Sequence, residues 1–217
     1  MRARPNAYDP TRHRRCVAIE GPCCAGKTTL SHGLLDVLTD LEICHARDYA
    51  DHVGGGRFLP RPVPQSVAED QAALHTLVEI EADRLACHHA RPRALLLLDR
   101  SVYTLLAHRH AIEQVTGLPC FASAARIVDS SDALAWPDLV LYLDVTDQAI
   151  HDRNRGKFAP DNIFIDRRFN AGIRDFYTRA TDRDAARVVW LDATLEIPKL
   201  VRTAETYVHQ VLHDHDR

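Results

Sequence analysis

Nine consecutive residues constrain this chain more than any other stretch: Gly21, Pro22, Cys23, Cys24, Ala25, Gly26, Lys27, Thr28 and Thr29, spaced as G-x-x-x-x-G-K-T. A short apolar run, Cys16 to Glu20, precedes them, and Leu30, Leu34, Leu35, Leu38 and Leu41 recur behind them at helical spacing. Glycines let successive backbone N–H groups turn toward one anion, while the following helix aims the positive end of its dipole at the same charge. The stretch therefore predicts a strand, a phosphate cradle at 21–29, and a helix. Lys27 is expected to face solvent and ligand and to reach the β and γ phosphates of a nucleotide, and the Thr28 hydroxyl to hold Mg²⁺.

The rest of the chain repeats the same rhythm. Strand-like segments fall at 16–20, 42–47, 94–99, 139–145 and 188–192, each separated by enough residues for a helix. Helical patterns are read at 27–40, 66–90, 102–116, 166–180 and 197–213. Such alternation predicts an α/β fold: a five-stranded parallel sheet between two helix layers. In sheets of this kind ligands bind beyond the carboxyl ends of the strands. Glu20, Arg47, Asp48, Asp99, Arg100 and Asp144 all lie at those ends. Residues 49–65, with Gly54-Gly55-Gly56 and three prolines, read as a long irregular loop overhanging the same place.

Composition narrows the function classes. A chain of 217 residues that is 46% hydrophobic, with no Pro/Gly/Ser-rich linker, is expected to form one domain at 16–217 behind a flexible tail at 1–15. A net charge of −3 supplies no basic field for nucleic acid or an anionic membrane, so a small-molecule acceptor is the expected partner. The longest aliphatic run, Ala94 to Leu98, is too short to span a bilayer. Cys16, Cys23, Cys24, Cys44, Cys87 and Cys120 show no zinc-ligand spacing and are read as free thiols in a cytoplasmic protein.

Two further signals carry chemistry. Leu95 to Leu98 is a buried strand ending in Asp99, suited to hold Mg²⁺ from the side opposite Thr28, and Arg100 follows with a guanidinium able to fork onto two phosphate oxygens. After the strand ending at Asp144 come Arg153, Arg155 and Lys157 around Gly156, cations placed to close over a transferring phosphate as a lid at about 153–165.

In their order these motifs resemble the thymidylate kinases, within the wider group of P-loop nucleoside and nucleotide kinases. Ile19 to Gly21 and Ala25 to Thr29 match the opening and end of that family's phosphate loop, and Ala82-Asp83-Arg84 its long helix. Asp99-Arg100, the run from Pro137 to Val145, and Asp192 to Thr194 match later motifs. The resemblance implies a three-layer P-loop kinase fold with an arginine-bearing lid, ATP in the loop, and Mg²⁺ near Thr28 and Asp99. It also implies Arg100 on the acceptor's phosphate, Arg84 near the acceptor's base, Arg153 and Arg155 in the lid, and a homodimer. Departures concern the acceptor. Arg47-Asp48-Tyr49-Ala50-Asp51-His52 replaces the family's Arg-Glu-Pro-Gly-Gly, Arg109 stands where a glutamine is common, and Cys24 replaces a loop glycine. Asp99 to Tyr103 also resembles the Glu-Arg-Ser-Val-Tyr of deoxynucleoside kinases, which brings Tyr103 to the acceptor.

Two acceptors follow, a nucleoside monophosphate such as a thymidylate-like nucleotide first and a hydroxyl compound second. An anionic monophosphate needs cationic clamps, and Arg84, Arg100 and Arg47 favour a nucleoside monophosphate kinase using ATP. A hydroxyl acceptor benefits from a carboxylate within hydrogen-bond reach, and Asp48 or Asp51 supplies one for a nucleoside or nucleoside-like metabolite. A third possibility is a nucleotide-dependent switch without an acceptor, against which stands the absence of an Asn-Lys-x-Asp string.

Overall fold

The computed structural model describes residues 15–86, 91, 94–180 and 187–213. The tail expected at 1–15 therefore lies, except for Arg15, outside the described residues. Five strands form one sheet: β1 (Cys16–Glu20), β2 (Ile43–Ala46), β3 (Leu95–Asp99), β4 (Leu139–Asp144) and β5 (Arg187–Asp192). Their order is β2-β3-β1-β4-β5 and every pairing is parallel. This is the α/β architecture read from the sequence.

Period-two alternation sorts the strands onto two faces. Val17 and Ile19 of β1 join Leu95 and Leu97 of β3 and Leu139 and Leu141 of β4 in one core. Helices α1 (Lys27–Val37) and α8 (Ile197–His213) cover that core through Leu30, Leu34, Val201 and Val208. On the opposite face Val140 and Tyr142 pack with α3 (Val67–Arg84), α4 (Val102–Thr116), α5 (Phe121–Asp129) and α7 (Arg167–Ala180). Each fully buried leucine or valine contributes about 1.5–3 kcal/mol, so the two faces together fix the sheet that carries the loops.

Three helices were not read from the sequence, and each depends on a local cap or a tertiary surface. Helix α2 (Tyr49–His52) opens the expected loop because the Asp48 carboxylate accepts the Ala50 N–H at 2.9 Å. Helix α6 (Asp147–Asn154) starts where the Thr146 hydroxyl accepts the Ala149 N–H at 3.2 Å. The nine-residue α5 has no side-chain cap and is held by burying Ala124 and Val128. Helix α1 ends at Val37, earlier than expected, and residues 87–90, the end of the pattern read at 66–90, lie outside the described residues.

Cys16, Cys23, Cys24 and Cys120 are free, whereas Cys44 is disulfide-bonded, which corrects the reading of six free thiols. Pairing of that kind is set by tertiary proximity, on which sequence spacing is silent. Cys87 lies outside the described residues. Among the described residues no helix is long and apolar enough to cross a membrane.

Candidate active site

The phosphate loop leaves the central strand β1 and turns through backbone conformations that most side chains resist. Gly21 has φ +136°, and a Cβ there would sit 2.8 Å from the Leu143 carbonyl oxygen, so only glycine fits between β1 and β4. Cys24 takes φ +62° and Gly26 φ +101°, the latter capping α1. Cys24 thus adopts the left-handed conformation that glycine takes freely, at a cost of about 1–2 kcal/mol. Lys27 is 6% exposed, and its ammonium donates to the Pro22 carbonyl at 2.7 Å. It is buried within its own loop rather than facing solvent. Burial and then the Arg100 guanidinium push its pKa below the usual lysine value, so the site favours an incoming anion.

Across the loop, the Thr28 hydroxyl donates to Asp99 Oδ2 at 2.7 Å. Asp99 is 1% exposed and its other carboxylate oxygen, Oδ1, is buried without a hydrogen-bond partner. A buried carboxylate oxygen without a donor is costly unless a cation meets it. Thr28 and Asp99 therefore fit a magnesium ion by chemistry and by the unmet demand of Oδ1.

Arg100 has φ +71° at the turn between β3 and α4. Its Nε donates to Asp48 Oδ2 at 2.6 Å and its Nη2 to Cys23 Sγ at 3.3 Å. The pair sits in the cleft at 16% and 21% side-chain exposure. Burial pushes the Asp48 carboxyl up, but Arg100 and then Lys27 outweigh it and hold its pKa below the usual carboxylate value. The turn itself is anchored by Glu20, which accepts the Ser101 N–H at 2.8 Å, the Ser101 hydroxyl at 2.6 Å and the Thr104 hydroxyl at 2.5 Å. Glu20, expected among the polar groups of the site, is 1% exposed and ties the head of α4 to β1.

Arg84 and Tyr103, expected at the acceptor, are placed differently. The Arg84 guanidinium is buried against Glu81, donates from Nε to the Arg47 carbonyl at 2.7 Å and from Nη2 to the Asp99 and Arg100 carbonyls at 2.9 and 3.1 Å, and lies 4.1 Å over the Tyr49 ring. It staples the ends of β2 and β3 together. Tyr103 is 2% exposed and packs edge-on against Trp136 at 5.3 Å. Arg109 forms a buried pair with Asp70 at 3.0 Å. Asp51 is exposed and shares a cavity of about 390 Å³ with Thr28, His32, His45, Arg47 and Asp99, under Gly54 and Gly55. Gly54 and Gly55 of the triple-glycine segment thus line the same cavity as Thr28.

On the other side of the loop, Arg153 on α6 donates to the Ala25 carbonyl at 3.1 Å and to the Ala193 carbonyl at 2.8 Å, joining the phosphate loop to the turn after β5. Arg155 is exposed in a left-handed turn, φ +43°, and the Asn154 side chain closes that turn on the backbone of Phe158 at 2.8 and 2.9 Å. A second cavity, about 640 Å³, runs from Pro22 past Asp144 and Trp190 to Asp192 and Thr194. Arg174 on its wall is paired bidentately with Asp144 at 2.7 and 2.9 Å, an arrangement the sequence did not announce because the partners are 30 residues apart.

No protein-family model matches the chain, and no curated protein matches it. Solved structures do. One is the structure of deoxyadenosine kinase from M. mycoides with products dCMP and a flexible dCDP bound, at TM-score 0.62 and 14% identity, covering 90% of this chain and 99% of that one. The chain has the fold of the P-loop nucleoside kinases.

Proposed function

We propose that the chain is an ATP-dependent kinase that moves the γ phosphate of ATP to a hydroxyl of a nucleoside or nucleoside-like compound. The observation that carries this reading is the Asp48–Arg100 pair, 2.6 Å apart at the carboxyl ends of β2 and β3 beside the phosphate loop. A carboxylate at that place is the group a hydroxyl nucleophile needs. Two of the cations expected to clamp an acceptor phosphate are already engaged, Arg100 by Asp48 and Arg84 by Glu81 and backbone carbonyls.

In this mechanism the loop amides and Lys27 hold the β and γ phosphates, and the Lys27 ammonium exchanges the Pro22 carbonyl for phosphate oxygens. Thr28 and Asp99 would hold a magnesium ion, which would supply neutralisation of the phosphate charge. Asp48, fixed by Arg100, accepts the proton of the acceptor hydroxyl as its oxygen bonds to the γ phosphorus and the bond to the bridging oxygen breaks, leaving ADP. Arg155, exposed after α6, closes from the lid to offset charge on the transferring group, while Arg153 keeps the phosphate loop on the turn after β5. The nucleoside part of ATP follows the line from the loop to Ala193 that Arg153 spans. A homodimer, implied by the family resemblance, belongs to the same reading and is checked by sedimentation equilibrium.

A monophosphate acceptor is the second reading, and the exposed Arg47 beside Thr28 and Asp99 favours it. Incubating the chain with γ-labelled ATP and a panel of nucleosides and monophosphates separates the two. The hydroxyl reading expects label on nucleosides and a loss of about 10²–10⁴ in kcat for Asp48→Asn. Label on monophosphates alone sinks it.

A further inference from the structure

Two buried polar atoms on the same face of the sheet lack a hydrogen-bond partner: Asp99 Oδ1 and His45 Nε2. Their proximity follows from the strand register. His45 of β2 pairs with Leu97 of β3, so the alternation that points Leu97 and Asp99 toward α1 points His45 the same way. Thr28 and His32 come down on that face from successive turns of α1, and the His32 and His45 rings meet edge-on at 6.2 Å. The result is the 390 Å³ cavity in which Thr28, His32, His45 and Asp99 share a wall. Sequence reasoning passed over His45 because a lone histidine on an edge strand carries no motif.

An anion does not answer both atoms, since Asp99 Oδ1 would repel it. Direct ligation by the whole set does not answer them either, because among the described residues no three His, Cys, Asp or Glu side chains are grouped to hold a metal ion. A hydrated cation answers both: positive charge for Asp99, and a hydration water donating to the imidazole nitrogen. We propose that His45 is a positioning residue for the divalent cation, holding one water of its hydration shell through Nε2 while Thr28 and Asp99 face the ion. The inference rests on the magnesium site proposed above. Partners of this kind orient the groups around a metal, and their loss weakens metal affinity by about 10–100-fold.

The test counts bound Mn²⁺ by electron paramagnetic resonance in the full chain loaded with ADP. His45→Ala is expected to weaken Mn²⁺ binding about 10-fold. ADP affinity in EDTA should stay unchanged, and His45→Gln, which keeps an acceptor near the Nε2 position, should recover most of the loss. Unchanged Mn²⁺ affinity in His45→Ala overturns the proposal, as does an equal loss of ADP binding in EDTA, which would mark His45 as structural. Asp99→Asn separates this failure from that of the site itself. If Asp99→Asn weakens Mn²⁺ binding and His45→Ala does not, only the role of His45 falls; if neither does, the magnesium site falls with it.

Discussion

Replacing Arg84 distinguishes a structural staple from an acceptor-binding residue. Arg84 and Glu81 have side-chain exposures of 0% and 0%, so Arg84→Ala leaves an ionised or newly protonated carboxyl buried without its partner. Removing one member of such a pair costs about 3–5 kcal/mol. Freed carbonyls of Arg47, Asp99 and Arg100 add to that loss unless water enters. For a domain of this size about 2–4 °C of Tm accompanies each kcal/mol, giving a drop of roughly 6–20 °C. Burial raises the Glu81 pKa and Arg84 counters it, so the variant's Glu81 should titrate higher still. Thermal unfolding of Arg84→Ala and of the double variant Glu81→Leu/Arg84→Met is the assay. The double variant should regain much of the loss, because apolar replacement of a whole buried pair removes the stranded charge. An Arg84→Ala protein with the parent Tm and a raised KM for the acceptor alone would refute the reasoning and return Arg84 to the acceptor site.

Gly21→Ala should destabilise the chain by roughly 1–3 kcal/mol and weaken ATP binding, since its Cβ would meet the Leu143 carbonyl at 2.8 Å in a conformation alanine resists; urea unfolding and calorimetry measure both. The Asp48–Arg100 pair sets a pH signature. A carboxyl held below its ordinary pKa contributes stability that is complete above the unfolded value, about 3.9, and is lost as pH falls through the lower folded value. Denaturation curves of the parent and Asp48→Asn should therefore differ by a constant amount near neutrality and converge only below about pH 4. Convergence already at pH 6 would contradict the assigned pairing.

The strands and the phosphate loop were legible because they depend on local pattern: an apolar run, glycines at turning points, and leucines at helical spacing. The ends of β1 to β5 lie within one residue of the segments read. Helices α2 and α6 escaped because each rests on one capping side chain, Asp48 or Thr146, at the head of a short segment. Thr28 and Asp99 were paired from sequence through their motifs, and they are in contact. Arg84 and Glu20 were read as site residues because they stand in motifs or at strand ends. Their direction is set by tertiary packing, which turns both inward to tie elements together. Nothing local announces that Arg100 meets Asp48, 52 residues away in sequence, or that His45 lies over the cavity of Asp99.

The proposed kinase activity requires the loop at 21–29 to grip a nucleotide's phosphates with Lys27. Isothermal titration of the chain with ATP, with and without magnesium, beside Lys27→Ala, tests it most directly. Saturable binding that tightens with magnesium and is lost in Lys27→Ala is the expected result. No heat of binding for ATP or GTP in the presence of magnesium, or equal affinity in Lys27→Ala, would contradict it.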